Sequence, residues 1–214
     1  MFKLKYPKVF LLTVAVLCLS LLAIILTFSK EESFMMLQAS HSATSDGLMS
    51  IITEIANGLF VFVLCVVLLV GKNLRLAIIL FTGFAVSGIA VQTLKNTVYK
   101  SEPRPVQWFK DQKIDLEVPP NLKPHAYKSF PSGHSTSAAI LFTFFAFRAR
   151  KNSFQMLLAL MLFFVAYSRI YLFQHFPKDV FAGISLGLLT QISVEIFYAN
   201  RLKKGKFLKQ ELNP

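Results

Sequence analysis

The sequence predicts an all-α fold, a bundle of six transmembrane helices in a single domain over residues 1–214. The first observation is composition: the chain is 54% hydrophobic and 16% charged, whereas soluble domains carry about 25% charged residues. The second is that six apolar stretches are long enough, or nearly so, to cross a bilayer, which takes roughly 20 helical residues. The third is a mean hydropathy of +0.54 with 22 phenylalanines, which excludes a disordered chain.

The six predicted spans follow one another along the whole chain. They are expected to be helices, because unpaired backbone groups in lipid cost several kcal/mol each. Barrel strands would be shorter and would alternate in polarity, which these stretches do not. The spans are predicted at residues 9–28, 51–70, 76–94, 132–147, 154–173 and 179–199.

Basic residues predict the orientation of these helices. The net charge of +12 points to the polar faces of a membrane and to anionic substrates rather than to nucleic acid. Thirteen Lys and Arg residues fall on the side of both termini and of the second and fourth connections, against ten on the other side, where several look functional. Connections rich in Lys and Arg stay in the cytoplasm, so we expect both termini there, together with the second and fourth connections. The basic residues assigned to this side are Lys3, Lys5, Lys8, Lys72, Arg75, Arg148, Arg150, Lys151, Arg201, Lys203, Lys204, Lys206 and Lys209.

The third connection, residues 95–131, is much longer than the others and is predicted to be an ordered, outward-facing loop. Six of the nine prolines lie in it. Because proline removes a backbone donor and fixes φ, the loop is expected to be irregular rather than helical. Ordered loops of this length in a compact domain are usually functional.

Ionisable and small polar residues cluster where the predicted spans begin or end. Ionisable residues are costly at membrane depth and are therefore candidates for function. In antiparallel order, the ends of spans three and five and the starts of spans four and six lie on one face of the membrane. The residues that this order brings together are Lys95, Arg104, Ser132, Gly133, His134, Arg169, His175 and Asp179.

These residue types suit the transfer of a phosphoryl group. Arginine offers a planar fork of donors to paired oxygens, lysine adds a point charge, and Ser132 and Gly133 precede a helix whose N-terminal amides attract anions. Asp179 is four residues after His175 and shares a helix face with it if the helix already begins there. An Asp that accepts one imidazole N–H fixes the tautomer and leaves the other nitrogen free to attack. His134 then serves as a general acid. Two histidines and a carboxylate also fit a non-haem metal site, and the residues alone leave this alternative open.

Two short motifs stand out in the second half of the chain. Pro-Ser-Gly-His occupies residues 131–134, and Ser-Arg-x5-His-x3-Asp runs from Ser168 to Asp179. With these motifs the chain resembles the type 2 phosphatidic acid phosphatase (PAP2) family of integral-membrane lipid phosphatases, which is related to the vanadium haloperoxidases. Six spans with a long loop between the third and fourth also look like this family.

The family's remaining motif, Lys-x6-Arg-Pro, is present here in altered form. Lys95 and Arg104 are separated by eight residues, and the residue at the family spacing is Thr97. A two-residue insertion in the loop would leave Lys95 at the helix end, so the resemblance assigns the lysine role to Lys95. Lys100 is the alternative.

The resemblance implies a reaction and a role for each residue. His175 would attack phosphorus and form a phosphohistidine, Asp179 would orient it, and His134 would protonate the leaving oxygen. The family works without a metal, so no metal or other cofactor is expected. The phosphoryl oxygens would be held by Lys95, Arg104, Ser132, Gly133 and Arg169. The remaining histidines, His41 and His125, belong to no motif and are not expected to act, although the loop could bring His125 near the site.

The resemblance also implies where the enzyme works and on what. The bacterial members suggest a cytoplasmic (inner) membrane, an active site on its outer face, and lipid A phosphate or undecaprenyl diphosphate as substrate. Phosphatidylglycerol phosphate and phosphatidic acid are alternative substrates. A non-catalytic phospholipid-binding or transport protein is the alternative from another class, but it would need neither a nucleophile nor its orienter. The expected partners are membrane lipids and no nucleic acid, and the sequence leaves the oligomeric state open.

Overall fold

The computed structural model describes residues 6–211, with the side chains of residues 6–201. All regular structure in this part of the chain is helical, apart from one isolated bridge between Pro103 and Tyr127, and the all-α prediction is confirmed there. The helices are α1 (Lys8–Thr27), α2 (Lys30–Met36), α3 (Ala43–Glu54), α4 (Gly58–Val70), α5 (Leu74–Thr97), α6 (Pro105–Asp111), α7 (Gly133–Ala146), α8 (Asn152–Tyr171) and α9 (Pro177–Glu211). The predicted cytoplasmic side chains that lie outside the described residues are Lys3, Lys5, Lys203, Lys204, Lys206 and Lys209.

Long apolar helices account for most of the predicted spans. Within the described residues, four helices are long and apolar enough to cross a membrane: α1, α5, α8 and the part of α9 over Pro177–Arg201. Helices α3 and α4 together form a fifth candidate, bent by 46° at the break between them. The predicted span 51–70 is thus interrupted, because the Asn57 side chain caps a new helix by accepting from the N–H of Leu59 at 3.1 Å.

Helix α7 is shorter than a membrane span. It has 14 residues, whereas a bilayer crossing takes roughly 20. It packs against α5, α8 and α9, and most of its residues are buried. Because protein rather than lipid surrounds it, α7 can be short and can carry polar residues. Length and composition therefore support four or five spans, and the predicted count of six is not confirmed.

The long third connection contains a helix that the sequence did not predict. Helix α6 begins at Pro105, where the missing N–H is harmless and the fixed φ suits a first helical turn. The expectation of a loop without helix is therefore wrong for these residues. Backbone hydrogen bonds hold the two ends of the loop together, from Arg104 N–H to the Ala126 carbonyl at 2.8 Å and from Ser129 N–H to the Glu102 carbonyl at 3.1 Å.

Helices α7 and α9 approach each other through glycine. A Cβ at Gly183 would lie 2.5 Å from the Ser132 carbonyl oxygen and 3.1 Å from the Ser135 Cβ. A Cβ at Gly187 would lie 2.5 Å from the Thr136 carbonyl oxygen. Only glycine lets the backbones meet at this separation, which sets the start of α7 against the start of α9.

We expect Gly183→Ala to destabilise the protein by about 1–3 kcal/mol, because the added methyl group overpacks a backbone contact. The matched control is Gly47→Ala on α3, where a Cβ would meet no atom within 4 Å. Thermal unfolding of both variants in the same detergent measures the difference. Equal unfolding midpoints for the two variants would show that the contact between α7 and α9 is not tight.

Candidate active site

His175 lies in the short turn that joins α8 to α9. The Arg169 carbonyl in the last turn of α8 accepts hydrogen bonds from the N–H groups of Gln174 at 3.0 Å and His175 at 3.1 Å. Phe173 stands at the left-handed position of this helix end, with φ of 55°, where glycine is usual. A bulky residue there costs about 1–2 kcal/mol, and the Phe173 ring is buried and packs 5.1 Å from the His41 ring. The turn thus ties the backbone of His175 directly to that of Arg169.

Asp179 lies in the first turn of α9 and faces His175. Helix α9 begins only at Pro177, after His175, so the condition for a shared helix face is not met. Instead, the Asp179 Oδ2 atom accepts hydrogen bonds from Ser129 Oγ at 2.5 Å and from Phe176 N–H at 3.0 Å. It lies 3.7 Å from His175 Nδ1, which is longer than a hydrogen bond.

The contact between His175 and Asp179 leaves one nitrogen and one oxygen without a hydrogen bond. His175 Nδ1 and Asp179 Oδ1 are both buried and have no hydrogen-bond partner among the described residues. Buried polar atoms normally find partners. Because Nδ1 is the ring nitrogen that faces the Asp179 carboxylate, Nε2 is the nitrogen left for attack.

Three cationic side chains, Lys95, Arg104 and Arg169, lie close to His175, and all three are largely buried. Burial, followed by the positive charges of these side chains and of His134 when protonated, holds the pKa of His175 well below its usual range. His175 is therefore neutral at pH 7. A neutral imidazole has a lone pair available for attack without first losing a proton.

Backbone carbonyls of the loop hold two of these cations. Arg104 Nε donates to the Tyr127 carbonyl at 3.0 Å, and Lys95 Nζ donates to the Lys128 carbonyl at 2.8 Å. Arg104 Nη1 also donates to the Gln174 carbonyl at 3.1 Å and to the Gln174 side-chain oxygen at 2.7 Å. The residue before His175 therefore helps to position Arg104.

Arg169 is held from another direction. Its Nη1 atom donates to Thr53 Oγ1 at 2.9 Å, at the end of α3. Its Nε atom is buried and has no hydrogen-bond partner among the described residues. A buried guanidinium with an unused donor is suited to an anionic ligand.

The Pro-Ser-Gly-His motif forms the start of α7. Ser132 caps the helix, and its N–H donates to the Asp179 carbonyl at 3.0 Å, so the starts of α7 and α9 are joined. Gly133 opens the helix, and His134 follows it, partly buried. A cavity of about 220 Å³ adjoins His134, bounded by α5, α7 and the break between α3 and α4.

The structure thus brings the eight predicted residues to one end of the bundle, and it adds three that the sequence analysis missed. The missed residues are Thr53, Ser129 and Gln174, which bind Arg169, Asp179 and Arg104 respectively. Gln174 directly precedes His175, and Ser129 lies two residues before Pro131, which was a usable signal, whereas nothing marks Thr53 in the sequence.

The two other histidines differ in environment. His125 is exposed in the loop. His41 Nδ1 lies 2.8 Å from Asp46 Oδ1, and its ring packs 4.3 Å from that of Tyr171. His41 is therefore part of the packing beside the turn that carries His175.

Residues 76–203 of the chain match the PAP2 superfamily. This segment is more than half of the chain and contains all three motifs. The chain belongs to the PAP2 superfamily. Its several apolar helices and its membrane relatives make it a multi-pass membrane protein. Its family and its named relatives make it an enzyme of the phosphatase class.

Curated relatives within the PAP2 superfamily are named phosphatases. The chain is 29% identical over 151 residues to undecaprenyl-diphosphatase BcrC of Bacillus subtilis, covering 70% of this chain and 72% of that protein. It is 28% identical over 120 residues to a lipid A 1-phosphatase of Rhizobium etli, covering 56% of this chain and 49% of that protein. The chain thus spans about half the length of the latter.

Solved PAP2 structures share the fold. Aquifex aeolicus LpxE superposes with a TM-score of 0.64 at 24% identity, covering 79% of this chain and 97% of that one. A transmembrane PAP2-type phosphatidylglycerolphosphate phosphatase from Bacillus subtilis superposes with a TM-score of 0.62 at 23% identity, covering 88% of this chain and 96% of that one.

Proposed function

We propose that this chain hydrolyses a phosphomonoester or diphosphate of a membrane lipid through a phosphohistidine at His175. One observation carries the proposal most strongly. His175, neutral and buried, lies between the Asp179 carboxylate and the cationic side chains of Lys95, Arg104 and Arg169. A nucleophile, its orienting acid and a set of phosphate ligands are then present together, whereas a lipid-binding or transport protein would need only the last.

In the first step, His175 Nε2 attacks phosphorus, a P–N bond forms, and the P–O bond to the lipid breaks. His134 gives a proton to the departing oxygen. The charge that builds on the phosphoryl oxygens is stabilised by Lys95, Arg104 and Arg169, since fixed charges in a partly dry site act more strongly than in water. The amides at the start of α7 add donors of the same kind.

In the second step, water attacks the phosphohistidine, and His134, now neutral, takes a proton from that water. The P–N bond breaks, inorganic phosphate leaves, and His175 is regenerated. Asp179 balances the positive charge that develops on the imidazole. No group outside this chain is required for either proton, and we propose that the enzyme works without a metal.

Gly133 supports close approach of the phosphate to the start of α7. A Cβ at this position would meet only the Val91 side chain, at an ordinary 3.8 Å. Packing within the protein therefore does not demand glycine here. We infer that the backbone is left bare for the phosphoryl oxygens.

The leaving lipid is assigned to the cavity beside His134. In-line attack puts the leaving oxygen opposite His175, and that oxygen must also lie within reach of His134. The cavity of about 220 Å³ adjoins this position and is lined by small residues such as Gly58, Gly88 and Ser137.

Undecaprenyl diphosphate is the first candidate substrate, because the relative that acts on it, by its name, matches 70% of this chain and 72% of its own length. Lipid A phosphate is the second candidate, supported by a shorter match.

The proposal is tested by measuring phosphate release in detergent micelles with EDTA present. The substrates are undecaprenyl diphosphate, lipid A, phosphatidylglycerol phosphate and phosphatidic acid. Release from none of them would contradict it, and release only after a divalent ion is restored would contradict metal independence.

We further propose six spans, with the bent pair α3 and α4 counted as one and the short α7 as another. Both termini would then be cytoplasmic, and the active site would face the outer surface of a bacterial cytoplasmic membrane. In a chain without Cys18 and Cys65, a cysteine at Gln112 is expected to react with an impermeant thiol reagent in intact cells. A cysteine at Asn73 is expected to react only after permeabilisation; the reverse pattern would invert the orientation.

Lys95→Ala is expected to lower turnover by about 10²–10³-fold, as removal of one fixed donor to a developing oxyanion does. Lys95 is 8% exposed and points to the Lys128 carbonyl, whereas Lys100 is exposed. Lys100→Ala is therefore expected to cost less than about tenfold, because a mobile, solvated charge contributes little. Parallel kcat measurements compare the two, and a larger loss for Lys100→Ala would move the motif lysine to that position.

A further inference from the structure

A second cavity, lined by two lysines, lies at the same end of the bundle as His175 but on another side. It has a volume of about 140 Å³ and lies between the end of α1, helix α2 and the start of α9. Its charged residues are Lys30 and Lys178, and its apolar walls include Ile25, Phe28 and Phe176. It shares no lining residue with the cavity beside His134.

The charges facing this cavity do not cancel. Lys178 Nζ lies 2.7 Å and Lys30 Nζ 3.6 Å from the same oxygen, Oε1 of Glu102. Burial alone would raise the pKa of Glu102, but the hydrogen bond from Lys178 and the charges of both lysines hold it below its usual range. Burial and the nearby Lys178 lower the pKa of Lys30. Two ammonium groups therefore share Glu102, the one carboxylate in direct contact with them. The Asp179 carboxylate also acts on both lysines, but it is fully buried, it faces His175 and it does not line the cavity.

The position of Lys30 is fixed by aromatic rings. Its ammonium lies 4.2 Å from the centre of the Phe176 ring and 5.3 Å from that of Trp108. Cation–π contacts hold a half-buried ammonium in place without neutralising it. A charge fixed in this way binds an anion with less loss of side-chain entropy.

The apolar wall of the cavity indicates what kind of anion it takes. Ile25 and Phe28 belong to the end of α1, and the neighbouring Leu26 is 76% exposed on the surface of this apolar helix. That surface meets the acyl chains of a bilayer. An anion that carries an acyl chain can therefore place its charge between the lysines and its chain against α1, whereas a free anion would gain nothing from the apolar side.

We propose that the cavity between Lys30 and Lys178 is a binding site for an anionic phospholipid, with its phosphodiester at the two ammonium groups and one acyl chain along α1. This lipid is not the substrate, because it occupies a separate cavity and a phosphodiester carries no terminal phosphoryl group. The binding proposal stands independently of the proposed reaction.

The chain's single tryptophan provides the measurement. The Trp108 ring packs 5.9 Å from that of Phe176 and lies beside Lys30, so its fluorescence reports on lipid bound next to this cavity. The intact protein is placed in phosphatidylcholine nanodiscs that contain a minor fraction of either brominated phosphatidylglycerol or brominated phosphatidylcholine. We expect the anionic lipid to be preferred by about fivefold or more, which corresponds to about 1 kcal/mol in total, the contribution of one basic residue near an anionic lipid.

Lys178→Gln removes one charge without touching Trp108 and is expected to abolish most of this preference. Glu102→Gln is expected to increase it, because the carboxylate that offsets the lysines is lost; a purely structural ion pair would give no increase. Lys123→Gln, at an exposed lysine of the loop 95–131 that also carries Glu102, is the matched control and should leave the preference unchanged.

Equal quenching by the two lipids in the unmodified protein would overturn the proposal. Loss of the preference on adding inorganic phosphate would show a site for free anions and would also overturn it.

Discussion

His175→Ala is expected to lower turnover by about 10⁴-fold or more, the scale seen when a catalytic nucleophile is removed. The imidazole is the group that would form the covalent bond to phosphorus, and among the described residues of the site it is the neutral nucleophile that faces a carboxylate. The measurement is kcat with the lipid substrate found in the panel above.

His125→Ala is the control for this variant, because His125 is exposed in the loop and lies in no motif. It should retain full activity. His41→Ala is a poorer control, since His41 packs against the turn and binds Asp46. Substantial turnover by a folded His175→Ala protein would remove His175 from the nucleophile role, and an altered unfolding midpoint would identify a variant that has lost its structure.

Asp179→Asn is expected to lower kcat by about 10³–10⁴-fold with a smaller change in KM, as for a neutralised orienting carboxylate. The shape of the side chain is kept, and its oxygen can still accept from Phe176 N–H. The amide, however, cannot balance the charge that develops on His175 and can present a donor to its Nδ1 atom.

Ser129→Ala is the matched comparison, because it removes only one of the hydrogen bonds that position Asp179. A loss of about tenfold, the equivalent of one ordinary hydrogen bond, is expected. If Ser129→Ala cost as much as Asp179→Asn, the role of Asp179 would be structural rather than electrostatic.

The helical framework and the grouping of the site residues were predictable from sequence. The antiparallel order of the apolar helices is enough to bring Lys95, His134, Arg169 and His175 to one end, whatever the details of packing. Lys95 ends buried on α5, as expected of a helix-end residue, while Lys100 stays exposed. These features follow from periodicity and chain order, which are local properties of the sequence.

The geometry around His175 was not predictable, because it depends on contacts between distant segments. Phe173 adopts a conformation that usually signals glycine, and aromatic packing beside it offsets the strain. The contact between His175 and Asp179 arises from the turn before α9 and not from helical spacing. Thr53 binds Arg169 from the end of α3, beside the break near Asn57 that the sequence did not predict.

The short α7 shows why counting spans by length fails here. Its residues are surrounded by α5, α8 and α9, so the usual demand for about 20 apolar residues does not apply. The glycines of α9 that allow this packing give no sign in the sequence of which helix they face.

The central claim is a covalent phosphohistidine at His175. Rapid denaturation of the enzyme during turnover of undecaprenyl diphosphate labelled with ³²P in its terminal phosphate, followed by peptide mapping, tests it most directly. The account predicts a label on the His175 peptide that is stable in alkali and lost in acid, and no label in the His175→Ala protein. Turnover with no labelled intermediate under conditions that trap a control phosphohistidine enzyme, or a label on another residue, would contradict it.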